Sequence, residues 1–150
     1  MCGVARTLYT IGYEGLDIDR FVAALKDARV EVLADVRAVP ISRKKGFSKN
    51  VLRSRLEADG IGYRHFVELG TPEPGRRAAR AGNRAEFSRI TEAHLDGVEA
   101  QAALAALAEL AERQATCLMC FERHPEDCHR TFIASRLESS GMKIIHLGGT

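Results

Sequence analysis

No apolar run in this 150-residue chain approaches the length of a membrane span; the longest strictly apolar stretch is residues 102–108. The first ten residues, MCGVARTLYT, hold no extended apolar segment, so no signal peptide is expected and the cytoplasm is the expected compartment. Cysteine is scarce, with four in all, which in that compartment argues against a disulfide framework. Internal repeats are absent, and the one biased tract is the Ala-rich stretch 100–111. A composition of 45% hydrophobic and 28% charged residues excludes disorder as a class. The length fits one domain with a sizeable core.

The net charge is only +2, but its distribution is uneven. Residues 37–55 hold seven basic side chains (Arg37, Arg43, Lys44, Lys45, Lys49, Arg53, Arg55) and no acid. Residues 76–89 hold Arg76, Arg77, Arg80, Arg84 and Arg89 against Glu86. A basic excess concentrated on a nearly neutral chain points either to a patch facing an anion or to a solubilising surface.

Hydrophobic periodicity gives an alternating order of elements. Strands are expected over residues 7–12, 30–37, 61–67, 116–122 and 142–147. Helices are expected over 17–28, capped by Asp17, and over 49–59, capped by Ser48 and ended by Gly60. Residues 71–75 (TPEPG) read as a loop, and 84–95 and 97–114 as two helices. Asp127 can cap a helix over 128–140, ended by Gly141. This order predicts a single-domain, three-layer α/β fold, with a mostly parallel sheet of about five strands flanked by helices.

In such a sheet, ligands bind outside the carboxyl ends of the strands. There the chain places Asp35 and Arg37, the loop 40–48 with Ser42, Arg43, Lys44 and Ser48, then Tyr63 and His65, and then Cys120, Glu122, Cys128, His129 and Arg130. The connections entering strands two, four and five carry bland residues by comparison. Asp35 and Arg37 are two apart and share a strand face, so they either pair with each other or serve as an acid–base group and an anion contact. Loop 40–48 supplies Ser, Arg, Lys and backbone donors ahead of a helix N-terminus, the components of an anion site. It lacks the full Gly-x-x-x-x-Gly-Lys-Ser/Thr phosphate loop, which weakens an NTPase reading.

Cys117-x-x-Cys120 followed by Cys128-His129 admits a zinc reading. On an apolar strand, however, a spacing of three sends the two sulfurs to opposite faces, and no metal or cofactor is expected from ligand spacing. Cys117 reads as a small core residue. Cys120 near a strand exit and Cys128 at a helix N-terminus are each either a nucleophile or a structural thiol. Glu122 is a candidate general base, His129 a proton donor or phosphate contact, and Arg130 a bidentate oxyanion contact.

Several segments together resemble a known family: Thr10-Ile11-Gly12-Tyr13-Glu14-Gly15; Asp35-Val36-Arg37 with Pro40, Ser42, Arg43 and Gly46-Phe47-Ser48; Tyr63-x-His65; Glu68-Leu69-Gly70; and Cys120-Phe121-Glu122 through Cys128-His129-Arg130. In this order, over nearly the whole chain, they look like the family catalogued as domain of unknown function 488. The resemblance implies a compact bacterial or archaeal α/β protein and names no activity. A looser similarity of layout links the chain to rhodaneses, in which Cys120 would be the nucleophile and Arg130 the loop arginine. The spacing departs from that pattern, and Glu126 and Asp127 put acid where an electropositive cradle belongs. A Cys-x5-Arg phosphatase loop fails from either Cys120 or Cys128.

The leading expectation is a nucleotide- or nucleic-acid-directed hydrolytic enzyme with an anion site at the carboxyl edge of the sheet. Arg43, Lys44, Arg130 and the backbone near residues 46–49 would hold phosphate. Glu122 or Asp35 would be the working carboxylate, and His129 and Tyr63 would orient the substrate. The alternatives are a cysteine-dependent sulfurtransferase or phosphatase-like enzyme, and a non-catalytic module that binds nucleic acid. The expected partner is a phosphate-containing small molecule or nucleic acid and not a membrane; no feature specifies an oligomeric state.

Overall fold

The computed structural model describes residues 6–125 and 128–147. Among these, five strands form one fully parallel sheet: β1 (Thr7–Gly12), β2 (Val32–Asp35), β3 (Gly62–His65), β4 (Thr116–Cys120) and β5 (Lys143–Leu147). Their spatial order is β3-β2-β4-β1-β5, so β4 is central and wholly buried. Six helices flank the sheet: α1 (Ile18–Asp27), α2 (Lys49–Ala58), α3 (Glu73–Arg80), α4 (Arg84–Leu95), α5 (Val98–Arg113) and α6 (Arg130–Glu138). None of the described helices is long and apolar enough to cross a membrane.

Side chains alternate across the central strands and divide the core in two. Ala34, Leu118 and Cys120 pack with α5 and α6 on one face. Leu33, Cys117 and Met119 pack with Phe21 and Leu25 of α1 and Leu52 and Leu56 of α2 on the other. Cys117 and Cys120 therefore lie in opposite layers, as their spacing on a strand requires. Burial pushes the Cys117 thiol up, which fits a core residue.

Two local readings need correction. Residues 73–80, expected in part as a loop, form helix α3. Pro74 stands in its first turn, where a missing N–H costs no helical bond. Glu73 in the first turn and Arg77 and Arg80 in the last complement the helix dipole. Gly75 lets α3 lie close on α4, since a Cβ there would meet Thr71 Cγ2 at 2.5 Å and Ile90 Cγ2 at 3.1 Å. The second correction concerns Ser48. It stands at the N-cap of α2, but its hydroxyl makes no cap bond and engages Ser42 instead. The expected cap at Asp127 lies outside the described residues.

The connections place the crevice. Those leaving β1 and β2 lead to α1 and α2 on one face, whereas the one leaving β4 leads to α6 on the other. A ligand crevice opens where neighbouring connections part in this way. Here that point is the carboxyl end of β4, at Cys120.

Candidate active site at the carboxyl end of the central strand

A cleft of about 710 Å³ opens there. One wall comes from the β4 exit and the start of α6, with Cys120, Phe121, Glu122 and His129. The rest of the lining comes from the loop after β2, from α3 and from the start of α4, and it includes Arg43, Arg76, Arg80 and Arg84. Tyr13, Val39, Ile41 and Phe87 add apolar surface. Glu122 is the one carboxylate among the described lining residues.

The β4 wall is held by backbone pairing that continues past the strands. Tyr13 N donates to Cys120 O at 3.1 Å and Glu14 N to Phe121 O at 2.8 Å. Arg123 N donates to the Glu14 carboxylate at 2.9 Å. Gly12 permits this approach, because a Cβ there would stand 1.7 Å from the Glu122 carbonyl oxygen.

Arg130 fastens the same segment from inside. It is fully buried, with Nε donating to Thr10 Oγ1 at 3.2 Å, Nη1 to Glu122 O at 2.6 Å and Nη2 to Arg123 O at 3.4 Å. Its donors thus hold backbone, and it does not line the cleft where an oxyanion contact was expected.

Cys120, Cys128 and His129 converge beside the cleft, all three buried. His129 Nε2 lies 2.7 Å from the carbonyl oxygen of Val36, which can only accept, so Nε2 carries the proton. Nδ1 is left to face both sulfurs, 3.5 Å from Cys120 Sγ and 3.8 Å from Cys128 Sγ. The three atoms all lie within 4.8 Å of one another, a spacing that could hold a metal ion. Arg130 N donates to Cys128 Sγ at 3.5 Å, and Cys120 Sγ lies 3.7 Å from Glu122 Oε1.

This proximity splits the thiols. Burial opposes ionisation of Cys128, but the Cys120 thiol, His129 and Arg130 outweigh it and hold the Cys128 thiol well below its usual value. The hydrogen bond to Cys128, together with burial, pushes Cys120 well up. Burial and the Cys128 charge raise the Glu122 carboxyl to about 7. Despite its own burial, His129 is raised by Cys128 and by its bond to Val36. The thiol inclined to ionise, Cys128, does not line the cleft, while the one that does, Cys120, is held protonated. That division speaks against either as a substrate-facing nucleophile.

Other expected site residues are occupied elsewhere. Asp35 and Arg37 form a buried two-point ion pair, Arg37 Nη2 to Oδ2 at 2.7 Å and Nε to Oδ1 at 2.9 Å. Tyr63 donates to Asp35 Oδ2 at 2.5 Å; burial first and then Asp35 raise its pKa far above the usual value. Burial opposes the Arg37 charge, but Asp35 more than compensates and raises its pKa. Arg37 Nη1 donates to Phe47 O at 2.7 Å and so holds the following loop. Arg37 touches the cleft, whereas Asp35 and Tyr63 do not line it. His65 Nε2 contacts Arg37 O at 2.7 Å and lines a separate, shallow depression with Glu68 and Glu99.

Several donors of the loop 40–48 are taken up within it. Ser42 N donates to Ser48 Oγ, Lys44 N to Ser42 Oγ, and Lys49 N to Pro40 O. Lys44 Nζ is held by the carbonyls of Tyr13 and Leu16 at 3.2 and 2.8 Å. The loop is therefore a braced strut, and its contribution to the cleft is Ile41, Ser42 and Arg43.

Arg76, Arg80 and Arg84 belong to the second basic run, which shows in the sequence as charge but not as lining of the cleft that holds Glu122. Thr71, inside the expected loop, also lines the cleft, and its hydroxyl is buried without a hydrogen-bond partner among the described residues.

Comparison with known proteins identifies a family and leaves the chemistry open. A family model described as domain of unknown function DUF488 matches residues 17–137. Searches of curated proteins and of solved structures gave no match.

Proposed function

The chain belongs to the DUF488 family, and from its cleft we propose that it is a hydrolase acting on a phosphate-bearing small molecule of nucleotide size. The observation that carries this is one cleft lined by both a lone carboxylate, Glu122 beside the β4 exit, and four arginines, Arg43, Arg76, Arg80 and Arg84. Guanidinium groups match phosphate oxygens in bidentate geometry. Apolar side chains in the same lining suit the rest of the ligand, and the cleft volume falls in the usual small-molecule range of about 300–1,000 Å³.

In this reading the arginines hold the phosphate. Glu122 accepts a proton from a water whose oxygen bonds to phosphorus, and the bond from phosphorus to the leaving oxygen breaks with its electron pair. A nucleic-acid-binding module has less support. Members of the first basic run are put to different uses: Arg37 in a buried ion pair, Lys44 as a loop brace, Arg43 in the cleft lining and Arg53 on the exposed surface of α2.

The test is a panel of nucleoside phosphates and sugar phosphates, read by thermal shift and by release of inorganic phosphate. A cleft ligand raises the melting temperature. Glu122→Gln is expected to keep that shift and to lower turnover by about 10²–10⁴-fold. Turnover by Glu122→Gln at the wild-type rate overturns the role of Glu122. Stabilisation without any turnover overturns hydrolysis and leaves a binding protein.

A further inference from the structure

We propose that Cys120, Cys128 and His129 form a zinc site at the inner end of the cleft. The inference goes beyond the hydrolase reading and does not rest on it. It stands on three observations.

The first is geometry. Zn–S bonds of about 2.3 Å and Zn–N bonds of about 2.0–2.1 Å at tetrahedral angles put ligand atoms about 3.6–3.8 Å apart. His129 Nδ1 stands 3.5 and 3.8 Å from the two sulfurs. The end of β4 and the residues just before α6 bring the three donors within 4.8 Å of one another, with both imidazole–sulfur distances at that spacing.

The second is the surrounding shell. A metal-binding histidine donates its other ring N–H to a carbonyl or carboxylate, which fixes its tautomer. His129 does so to Val36, leaving Nδ1 aimed at the sulfurs. The backbone N–H of Arg130 points at Cys128 Sγ, a donor suited to a thiolate.

The third is donor chemistry. Two sulfurs and one imidazole select zinc over the hard cations, which take oxygen ligands. Three protein ligands leave a fourth tetrahedral position. Cys120 and His129 also line the cleft, so that position opens into it, beside Glu122. Glu122 is not part of the three-ligand cluster, and in this proposal the fourth position goes to water. On binding, the two thiols lose their protons to solvent.

The site was hidden in the sequence because the obvious Cys-x-x-Cys pair is the wrong pair. Cys117 faces the opposite layer, and Cys128 takes its place.

The experiment uses the full chain, reduced and without substrate. Metal content by elemental analysis is expected at about one zinc per chain. Cobalt in place of zinc is expected to give the tetrahedral visible bands and near-ultraviolet thiolate-to-cobalt absorption. Bound zinc is expected to shield Cys120 and Cys128, mapped by mass spectrometry, from alkylation; this needs no variant and so does not depend on a variant folding. Cys120→Ser and Cys128→Ser are expected to lose the cobalt absorption, and Cys117→Ser and Glu122→Gln to keep it. A folded, reduced chain that takes up no cobalt overturns the site. So does equal zinc in wild type and Cys128→Ser. Loss of binding on Glu122→Gln overturns the three-ligand arrangement. Failure to hydrolyse phosphate substrates leaves every one of these readouts intact.

Discussion

His129 reaches from the N-cap of α6 to the carbonyl of Val36, just beyond β2, with Nε2 and the oxygen 2.7 Å apart. That bond ties the β4–α6 connection to the segment leaving β2, 93 residues earlier. His129→Ala leaves a buried carbonyl without its donor, and we expect a loss of about 1–3 kcal/mol. Urea unfolding in the presence of a chelator isolates this term from any metal. A change within about 0.5 kcal/mol, the range of an ordinary surface substitution, shows that the bond is not structural.

Asp35 and Arg37 form a buried ion pair whose remaining valences are met by Tyr63, Tyr13 and Phe47. Removing one partner strands the other charge, so Asp35→Asn is expected to cost about 3–5 kcal/mol. Tyr63→Phe removes a bond to a carboxylate and is expected to cost about 1.5–3 kcal/mol. Because the three side chains share one network, the double variant should fall short of the sum. Denaturant midpoints of the two single variants and the double provide the check; strict additivity contradicts the shared network.

The alternation of strands and helices was legible because each buried face repeats at its own period. Strand β1 was read at residues 7–12 and α4 at 84–95, as observed. The crowding of reactive residues at the strands' carboxyl ends was legible for the same reason, since it needs only the order of elements. What a linear reading lacks is which group meets which. Cys128 and His129 stand beside Cys120 although they follow it by eight and nine residues, and no spacing rule encodes that meeting. Arg130 looked like an anion contact, yet it is turned inward to backbone carbonyls. Helix α3 was hidden by two prolines and a glycine that usually mark turns. Without it, Arg76 and Arg80 had no element to carry them to the cleft.

The surface network that ties α1 to α2 predicts a pH dependence. Asp59 accepts from Lys26 at 2.7 Å and from Arg55 at 2.9 Å, and these bonds, Lys26 first, hold its carboxyl below the ordinary 3.8. The folded chain binds that proton less tightly than the unfolded chain. Its stabilisation is therefore present above about pH 3.8 and disappears as pH falls through the lower folded value. Asp59→Asn is expected to lower the melting temperature at neutral pH and low salt, with the gap to wild type closing in acid and in high salt. A gap that persists unchanged at acid pH would mean the loss comes from packing and not from charge.

Gly12 ends β1 against the backbone of Glu122, with room for no side chain. Gly12→Ala forces that carbonyl, and the Arg130 guanidinium 3.0 Å from the same point, to move. The expected cost is at least the ordinary overpacking range of about 1–3 kcal/mol. The displaced carbonyl carries the Glu122 side chain with it, so turnover should drop further than in a variant of equal instability remote from the cleft, such as Leu56→Ala in the opposite core layer. Unfolding curves and phosphate release measured on both variants decide this. Equal activity at equal stability would show that the carbonyl's position is immaterial.

The arginine wall separates a built site from diffuse charge. Arg43 is exposed and makes no hydrogen bond or ion pair among the described residues, and it lines the cleft. A guanidinium–phosphate contact is worth about 1.5–3 kcal/mol, so Arg43→Ala should weaken a bound nucleoside diphosphate by about 10–100-fold. Arg76→Ala should do the same, although its Nε already donates to Thr71 O at 3.2 Å. Arg53 belongs to the same acid-free stretch as Arg43 but stands on α2, bonded to Asn50 and away from the cleft. Arg53→Ala removes the same formal charge and should leave affinity nearly unchanged. Calorimetric titration of all three variants at several salt concentrations gives the answer. Screening at a distance of one Debye length or more, about 8 Å at physiological ionic strength, removes a long-range effect but not a direct contact. If Arg53→Ala and Arg43→Ala weaken binding equally, and salt abolishes both effects together, the arginines act as net charge and the cleft is not the phosphate site.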